Sequence, residues 1–213
     1  MARFDLVIFD CDGVVVDSER VVHAVFGAFS RSLGVHMSEA EMFEHFMGRR
    51  LTECMDVVEQ ISGKPAPPDA LERYCTERDR VLREHVEPVA GIREVLEALT
   101  IPYCIASSGD HAKMRITLGT TGLMPFFEGR LFSATEVPNG KPAPDVFLYA
   151  AERMGAAPAR TVVIEDSVNG VLAGCAAGMT VLGFAGLTPA AKLLAAGATR
   201  VFEDMRELSA LLA

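Results

Sequence analysis

Short, unbroken apolar runs that end in acids or serines, separated by helical patterns, limit what this chain can fold into. Leu6-Val7-Ile8-Phe9 is the first and runs directly into Asp10. Tyr103-Cys104-Ile105-Ala106, Thr161-Val162-Val163-Ile164 and Thr180-Val181-Leu182-Gly183-Phe184 repeat the pattern, with Arg130-Leu131-Phe132 as a weaker copy. Such runs suit strands buried on both faces. Helical patterns lie between them, around 91–99, 145–154, 168–177 and 189–196. Strands alternating with helices predict βαβ units and a mostly parallel sheet. With right-handed crossovers this is an α/β, doubly wound, Rossmann-like core. In such a sheet, functional groups gather beyond the carboxyl ends of the strands.

One segment breaks the alternation. From about residue 18 to 85 the patterns are helical and no strand is evident. Val21, Val22, Val25, Phe26 and Phe29 recur at helical spacing, as do Met55, Val58 and Ile61. The stretch Gly63-Lys64-Pro65-Ala66-Pro67-Pro68 separates two helices by its turn chemistry. A helical-bundle cap domain over residues 17–86, inserted into a core of 1–16 and 87–213, is the expected organisation. The hinge is expected near 14–18 and 86–88.

Four features sit where the predicted strands end or their helices begin: Asp10-Cys11-Asp12-Gly13, Ser107-Ser108-Gly109, Gly140-Lys141-Pro142-Ala143-Pro144-Asp145, and Glu165-Asp166. Each has an ordinary reading by itself, since Asp, Ser and Gly are common in turns and caps. Together they are harder to dismiss. Carboxylates gathered on one sheet edge repel one another, and a hard cation with oxygen ligands relieves that. Phosphoryl transfer uses every one of these groups. A carboxylate can be the nucleophile, a metal and Lys141 can neutralise charge, and Ser107 can hold phosphoryl oxygens. A second carboxylate two residues on can move the leaving group's proton.

Net charge bears on the partner. With 20 basic and 29 acidic residues the chain carries −9, which argues against nucleic acid or an anionic membrane as partner. A small anion remains compatible, because a local basic pocket or a metal reverses the field. No stretch is apolar enough to span a bilayer, and the N-terminus lacks a signal-peptide layout. Five scattered cysteines without CxxC spacing predict reduced thiols in a cytoplasmic protein.

Asp10-x-Asp12-Gly13-Val14, Ser107, Lys141-Pro142 and Glu165-Asp166, in that order, resemble the four motifs of the haloacid dehalogenase superfamily. The helical insertion resembles its helical-bundle cap, in the subgroup of β-phosphoglucomutase and many sugar-phosphate phosphatases. The resemblance covers essentially the whole chain. It implies that Asp10 attacks phosphorus and that Asp12 serves first as acid and then as base. It also implies Mg²⁺ held by Asp10, the backbone carbonyl of Asp12, Asp166 and, directly or through water, Glu165. Ser107, Ser108 and Lys141 would bind the phosphoryl group. The second Asp, Asp12, argues against carbon–halogen and carbon–phosphorus cleavage. Ser167 and Asn169 are expected to start a helix or support the metal site, and Gly170 to permit close packing.

The substrate expected is a small phosphorylated metabolite, a sugar or sugar-acid phosphate, acted on by a monomer or weak homodimer. Arg49 and Arg50, in the cap loop after Gly48, are candidates for gripping an anionic part of it. Arg73, Arg78, Arg80 and Arg83 read as a solvated helix face, and His23 as an exposed helix histidine. A phosphomutase is the first rival. The resemblance places its cap histidine where this chain has Val22, and His23 is turned by about 100° from that position. A non-catalytic binding module is the second rival, and it should have lost one of Asp10, Asp12, Lys141 or Asp166.

Overall fold

The computed structural model describes residues 4–212. Strand β1 (Leu6–Phe9) opens the chain, and β2 (Val16–Asp17) follows after a tight turn. Four helices come next: α1 (Glu19–Ser32), α2 (Glu39–Phe46), α3 (Leu51–Ser62) and α4 (Ala70–His85). After β3 (Glu87–Pro88) the chain alternates: α5 (Ile92–Ala98), β4 (Tyr103–Ser107), α6 (His111–Thr120), α7 (Met124–Phe127), β5 (Leu131–Ser133), α8 (Asp145–Met154), β6 (Thr161–Glu165), α9 (Val168–Ala176), β7 (Thr180–Phe184), α10 (Ala190–Ala195), β8 (Arg200–Phe202) and α11 (Leu208–Leu212).

Six strands form one sheet in the order β5-β4-β1-β6-β7-β8, each pair parallel. Side chains alternate across it, as strand geometry requires. Val7, Phe9, Ile105 and Ile164 pack on one face with α5, α6 and α11, while Leu6, Ile8, Cys104 and Val163 pack on the other with α8, α9 and α10. The doubly wound α/β core is therefore as expected. Central strand β1 pairs with β4 on one side and β6 on the other, Phe9 lying opposite both Ile105 and Ile164. The connections run opposite ways from β1, so a crevice opens beyond its carboxyl end.

Helices α1–α4 have an apolar cluster of their own. Phe26 stacks edge-on against Phe46 and Tyr74, with Met42, Met55 and Val58 around them. The segment leaves and rejoins the core through a two-stranded antiparallel ribbon in which Val16 pairs with Pro88 and Asp17 with Glu87. Neither this ribbon nor β8 is evident from sequence. The ribbon strands are two residues long and one contains proline, while β8 is an edge strand with Arg200 exposed.

Candidate active site

Each expected site residue of the core stands at a strand's carboxyl end or in the loop beside it. Asp10 follows β1 and its backbone N–H donates to the Ile164 carbonyl (2.9 Å), fixing it beside Glu165. Lys141 comes from the loop ahead of α8, which Asp145 ties down by accepting from the Asn139 backbone and side-chain amides (3.1 and 3.0 Å). The Lys141 ammonium is almost fully buried. It donates to Asp10 Oδ1 (2.5 Å), Glu165 Oε1 (2.7 Å) and the Ala106 carbonyl (3.3 Å).

Asp12 is held differently. Its Oδ1 accepts from the Ser18 hydroxyl and pairs with Lys113 Nζ at 2.7 Å. Burial works to raise Asp12, but Lys113, Ser18 and Arg78 more than offset it and leave the carboxyl below the usual carboxylate range. Asp10 goes the other way. Burial pushes it up to about 7, Lys141 opposing and the charges of Glu165 and Asp12 adding to the rise. Asp166 is raised well above the ordinary value, first by burial and then by Glu165, Glu19 and Asp10. Both lysines are held protonated against burial by their carboxylate partners.

Ser107 Oγ accepts from the Gly109 backbone N–H (2.9 Å). Ser108 Oγ donates instead to the carbonyl of Gly48 in the loop between α2 and α3 (2.8 Å). Ser167 caps α9, its Oγ accepting from the Gly170 N–H (3.0 Å), and Asn169 donates to the Met47 carbonyl (2.9 Å). A Cβ on Gly170 would lie 1.7 Å from Glu165 Oε1, so this glycine does permit close packing, against the carboxylate itself.

Asp10, Asp12, Ser107, Ser108 and Asp166 line the floor of a cavity of about 260 Å³, and α1, α3, α4 and the 48–50 loop form its roof. Four carboxylates (Asp10, Asp12, Glu165, Asp166) share the site with two lysines (Lys113, Lys141), so ionising all four leaves two negative charges uncompensated. Asp166 Oδ2 is buried without a hydrogen-bond partner and lies 2.0 Å from where a Cβ on Gly13 would be. An orphaned carboxylate oxygen in a doubly negative pocket fits a divalent cation. Among the described residues no three His, Cys, Asp or Glu side chains form a ligand set by themselves. Further donors would be backbone oxygen and water, which suits Mg²⁺ rather than a softer ion. Glu165 is not free to join them as arranged, because Oε1 takes Lys141 and Oε2 takes the Ser167 N–H and hydroxyl (2.8 and 2.9 Å).

The family model for haloacid dehalogenase-like hydrolases matches residues 4–178. The chain belongs to that family. This hydrolase is 32% identical over 185 residues to the 6-phosphogluconate phosphatase of Escherichia coli K12, covering 86% of the chain and 84% of the relative. A haloacid dehalogenase-like protein of unknown function from Agrobacterium tumefaciens superposes with a TM-score of 0.82 at 37% identity, over 98% of this chain and 97% of that one. A haloacid dehalogenase family hydrolase from Deinococcus radiodurans, with bound phosphate and sodium, gives 0.77 at 34% identity over 100% and 96%.

In this haloacid dehalogenase-like hydrolase the roof departs from several expectations. Arg78 is 4% exposed rather than solvated. Ala70, Tyr74, Arg78 and Leu82 form the buried stripe of α4, and the guanidinium pairs with Asp79 and Asp110 (2.7 and 3.3 Å). His23 is not an exposed histidine, for its side chain is 10% exposed and Nε2 lies 3.1 Å from Glu19 Oε2 on the cavity wall. Arg50 borders the cavity, but its terminal nitrogens donate to the backbone carbonyls of Val137 and Pro138 (2.9 and 3.1 Å). Arg49 lines the cavity and is exposed. Lys113 is the residue that sequence reasoning left without a role. The available signal was a lysine three residues after an Asp N-cap, which points it along α6 toward the crevice. Among the described residues no helix is long and apolar enough to cross a membrane.

Proposed function

We propose that this enzyme, a phosphoric monoester hydrolase, cleaves a small sugar or sugar-acid phosphate through an aspartyl-phosphate on Asp10, with Mg²⁺ as cofactor. The observation that carries the reading is the division of labour between two aspartates two residues apart. Asp10 is paired with Lys141 and Asp12 with Lys113 and Ser18, on one cavity floor. The 6-phosphogluconate phosphatase likeness supports the substrate class.

Asp10 Oδ1 is held by Lys141, which orients the carboxylate so that Oδ2 can attack phosphorus in line. As the P–O bond to the sugar breaks, Lys141 balances the charge on the phosphoryl oxygens, with Ser107 and nearby backbone N–H groups as further donors. The leaving alkoxide takes a proton from Asp12, whose carboxylate has first taken that proton from solvent as the incoming phosphate competes for Lys113. Asp12 then removes the proton of the water that attacks the aspartyl-phosphate, and Lys113 and Ser18 favour its ionised form for this step. Mg²⁺ would be held by Asp10, Asp166 and the Asp12 carbonyl, and would supply Lewis-acid neutralisation of the phosphoryl oxygens. Residues 17–86 act as the cap that excludes bulk water during transfer.

A panel of sugar, sugar-acid, nucleotide and glycolate phosphates, assayed with Mg²⁺ for free phosphate and for isomerised product, tests the reading. Phosphate release that Asp10→Asn abolishes is the expected result. Isomerised product without phosphate release would instead establish a mutase, and turnover in Asp10→Asn equal to wild type would remove Asp10 as nucleophile.

A further inference from the structure

Two arginines of the helical segment reach across to the core, and each grasps the segment that delivers one of the two site lysines. From the start of α3, Arg50 donates to the carbonyls of Val137 and Pro138 (2.9 and 3.1 Å), in the loop that carries Lys141. It also lies against Gly140, the residue before Lys141, where a Cβ would come within 2.7 Å of Arg50 Nε. Lys141 in turn donates to Asp10 Oδ1 at 2.5 Å.

The second connection repeats the logic on the other wall. Arg78, in the middle of α4, is oriented by Asp79 (Nε to Oδ1 2.8 Å) and pairs through Nη1 with Asp110 Oδ2 at 3.3 Å. Asp110 is the N-cap of α6, and its other oxygen accepts from the Lys113 backbone N–H at 2.7 Å. Lys113 Nζ then reaches Asp12 Oδ1 at 2.7 Å. Arginine suits both posts, because its planar fork can bridge two acceptors at once where a lysine offers a point charge.

We propose that Arg50 and Arg78 are positioning residues that make the placement of Lys141 against Asp10, and of Lys113 against Asp12, conditional on the helical segment being closed over the core. The inference rests on the hydrolase reading above and adds a relay to it. The roof does more than cover the substrate, since its closure completes the charge pairing of the nucleophile and of the acid–base group separately. On this view Arg50 acts through Lys141 rather than gripping the substrate.

The test uses the 213-residue chain with Arg50→Ala and Arg78→Ala, with Arg80→Ala as control. Arg80 is exposed on α4 and, among the described residues, pairs with Glu77 and Glu84 of its own helix. kcat and KM are measured with Mg²⁺ on p-nitrophenyl phosphate, which has no second anionic group, and on 6-phosphogluconate, which has one. A misplaced lysine predicts a fall in kcat of about ten-fold on both substrates with KM within about two-fold, and wild-type values for Arg80→Ala. Amide exchange without substrate is the second readout. Residues 137–141 should exchange faster in Arg50→Ala, and 110–114 in Arg78→Ala, without crossing over. Should buried Arg78 not tolerate alanine, Arg78→Gln keeps the stem and carries the same readouts.

A loss confined to KM and to 6-phosphogluconate would overturn the relay and make the arginines substrate grips. Unchanged kcat with unchanged exchange would overturn it as well. If wild type releases phosphate from neither substrate, the hydrolase reading has failed, and local exchange alone then decides the relay: present in both segments it stands, absent in either it falls.

Discussion

Asp12 and Lys113 form a buried ion pair, with Oδ1 and Nζ 2.7 Å apart, and Ser18 donates its hydroxyl to the same oxygen. Because Asp12 sits below its ordinary value of 3.8 in the folded protein, the pair stabilises the fold above about pH 4. That stability is lost as pH falls through the folded value. Lys113→Met leaves a buried carboxylate without its cation, so Asp12 should rise and the acid limb of kcat/KM should move toward neutral pH. The expected stability cost near pH 7 is about 3 kcal/mol, read by denaturant unfolding. A pH profile superposable on wild type would show that Lys113 does not govern Asp12.

Asp10→Asn should abolish phosphate release and yet stabilise the metal-free protein. The folded state holds the Asp10 proton up to about 7 against an ordinary value of 3.8. Ionising it in place therefore subtracts stability as pH rises from about 4 to about 7, and the loss is complete above that. Lys141 keeps Glu165 as partner in the variant. Thermal melts in chelator should show the Asn protein ahead of wild type at pH 8, with the gap closing toward pH 4. A constant gap would contradict the assignment.

Asp166 Oδ2, buried and unpartnered, predicts where Mg²⁺ acts on stability. At a hundred times its Kd the ion should stabilise wild type by about 2.7 kcal/mol, and do far less for Asp166→Ala. Phosphate release should vanish on chelation and return with Mg²⁺. Full activity in excess chelator would remove the metal from the reading.

Gly170→Ala offers a sign test. Alanine is the better helix former by about 1 kcal/mol, but its methyl group would lie 1.7 Å from Glu165 Oε1. A net loss of about 2 kcal/mol is expected, with activity falling as Glu165 is pushed off Lys141. Gly119→Ala, also helical and with nothing within 4 Å of its added methyl, should stabilise by about 0.5 kcal/mol. Equal effects at the two sites would mean that the Glu165 contact carries no energy.

Much of the core was legible because buried parallel strands write themselves as unbroken apolar runs. Residues 6–9, 103–106 and 161–164 could hardly be anything else, and the groups after them had to share one sheet edge. What escaped notice depends on partners distant in sequence. Arg78 lies on a clear four-residue stripe with Ala70, Tyr74 and Leu82, yet its charge suggested solvent, since Asp110 belongs to another segment. Lys113 and Asp12 meet only after the sheet has formed. Arg50 satisfies main-chain carbonyls at Val137 and Pro138, and carbonyl acceptors leave no mark in the residue letters. The edge strand at Arg200–Phe202 failed the apolar-run test because one side of it faces water.

The Val16–Pro88 and Asp17–Glu87 pairing brings the exit and return of the helical segment side by side. With its ends paired this way, the sheet does not fix how long the excursion between those residues is. Chimaeras joined at the ribbon, with the helices of one relative grafted onto the core of another, should keep the sheet intact, since insertions between adjacent ends are readily tolerated. Substrate preference would then travel with the graft while the chemistry stayed with the host. The arginine contacts to 137–138 and to Asp110 would have to be transplanted along with it for the hybrid to turn over at full speed.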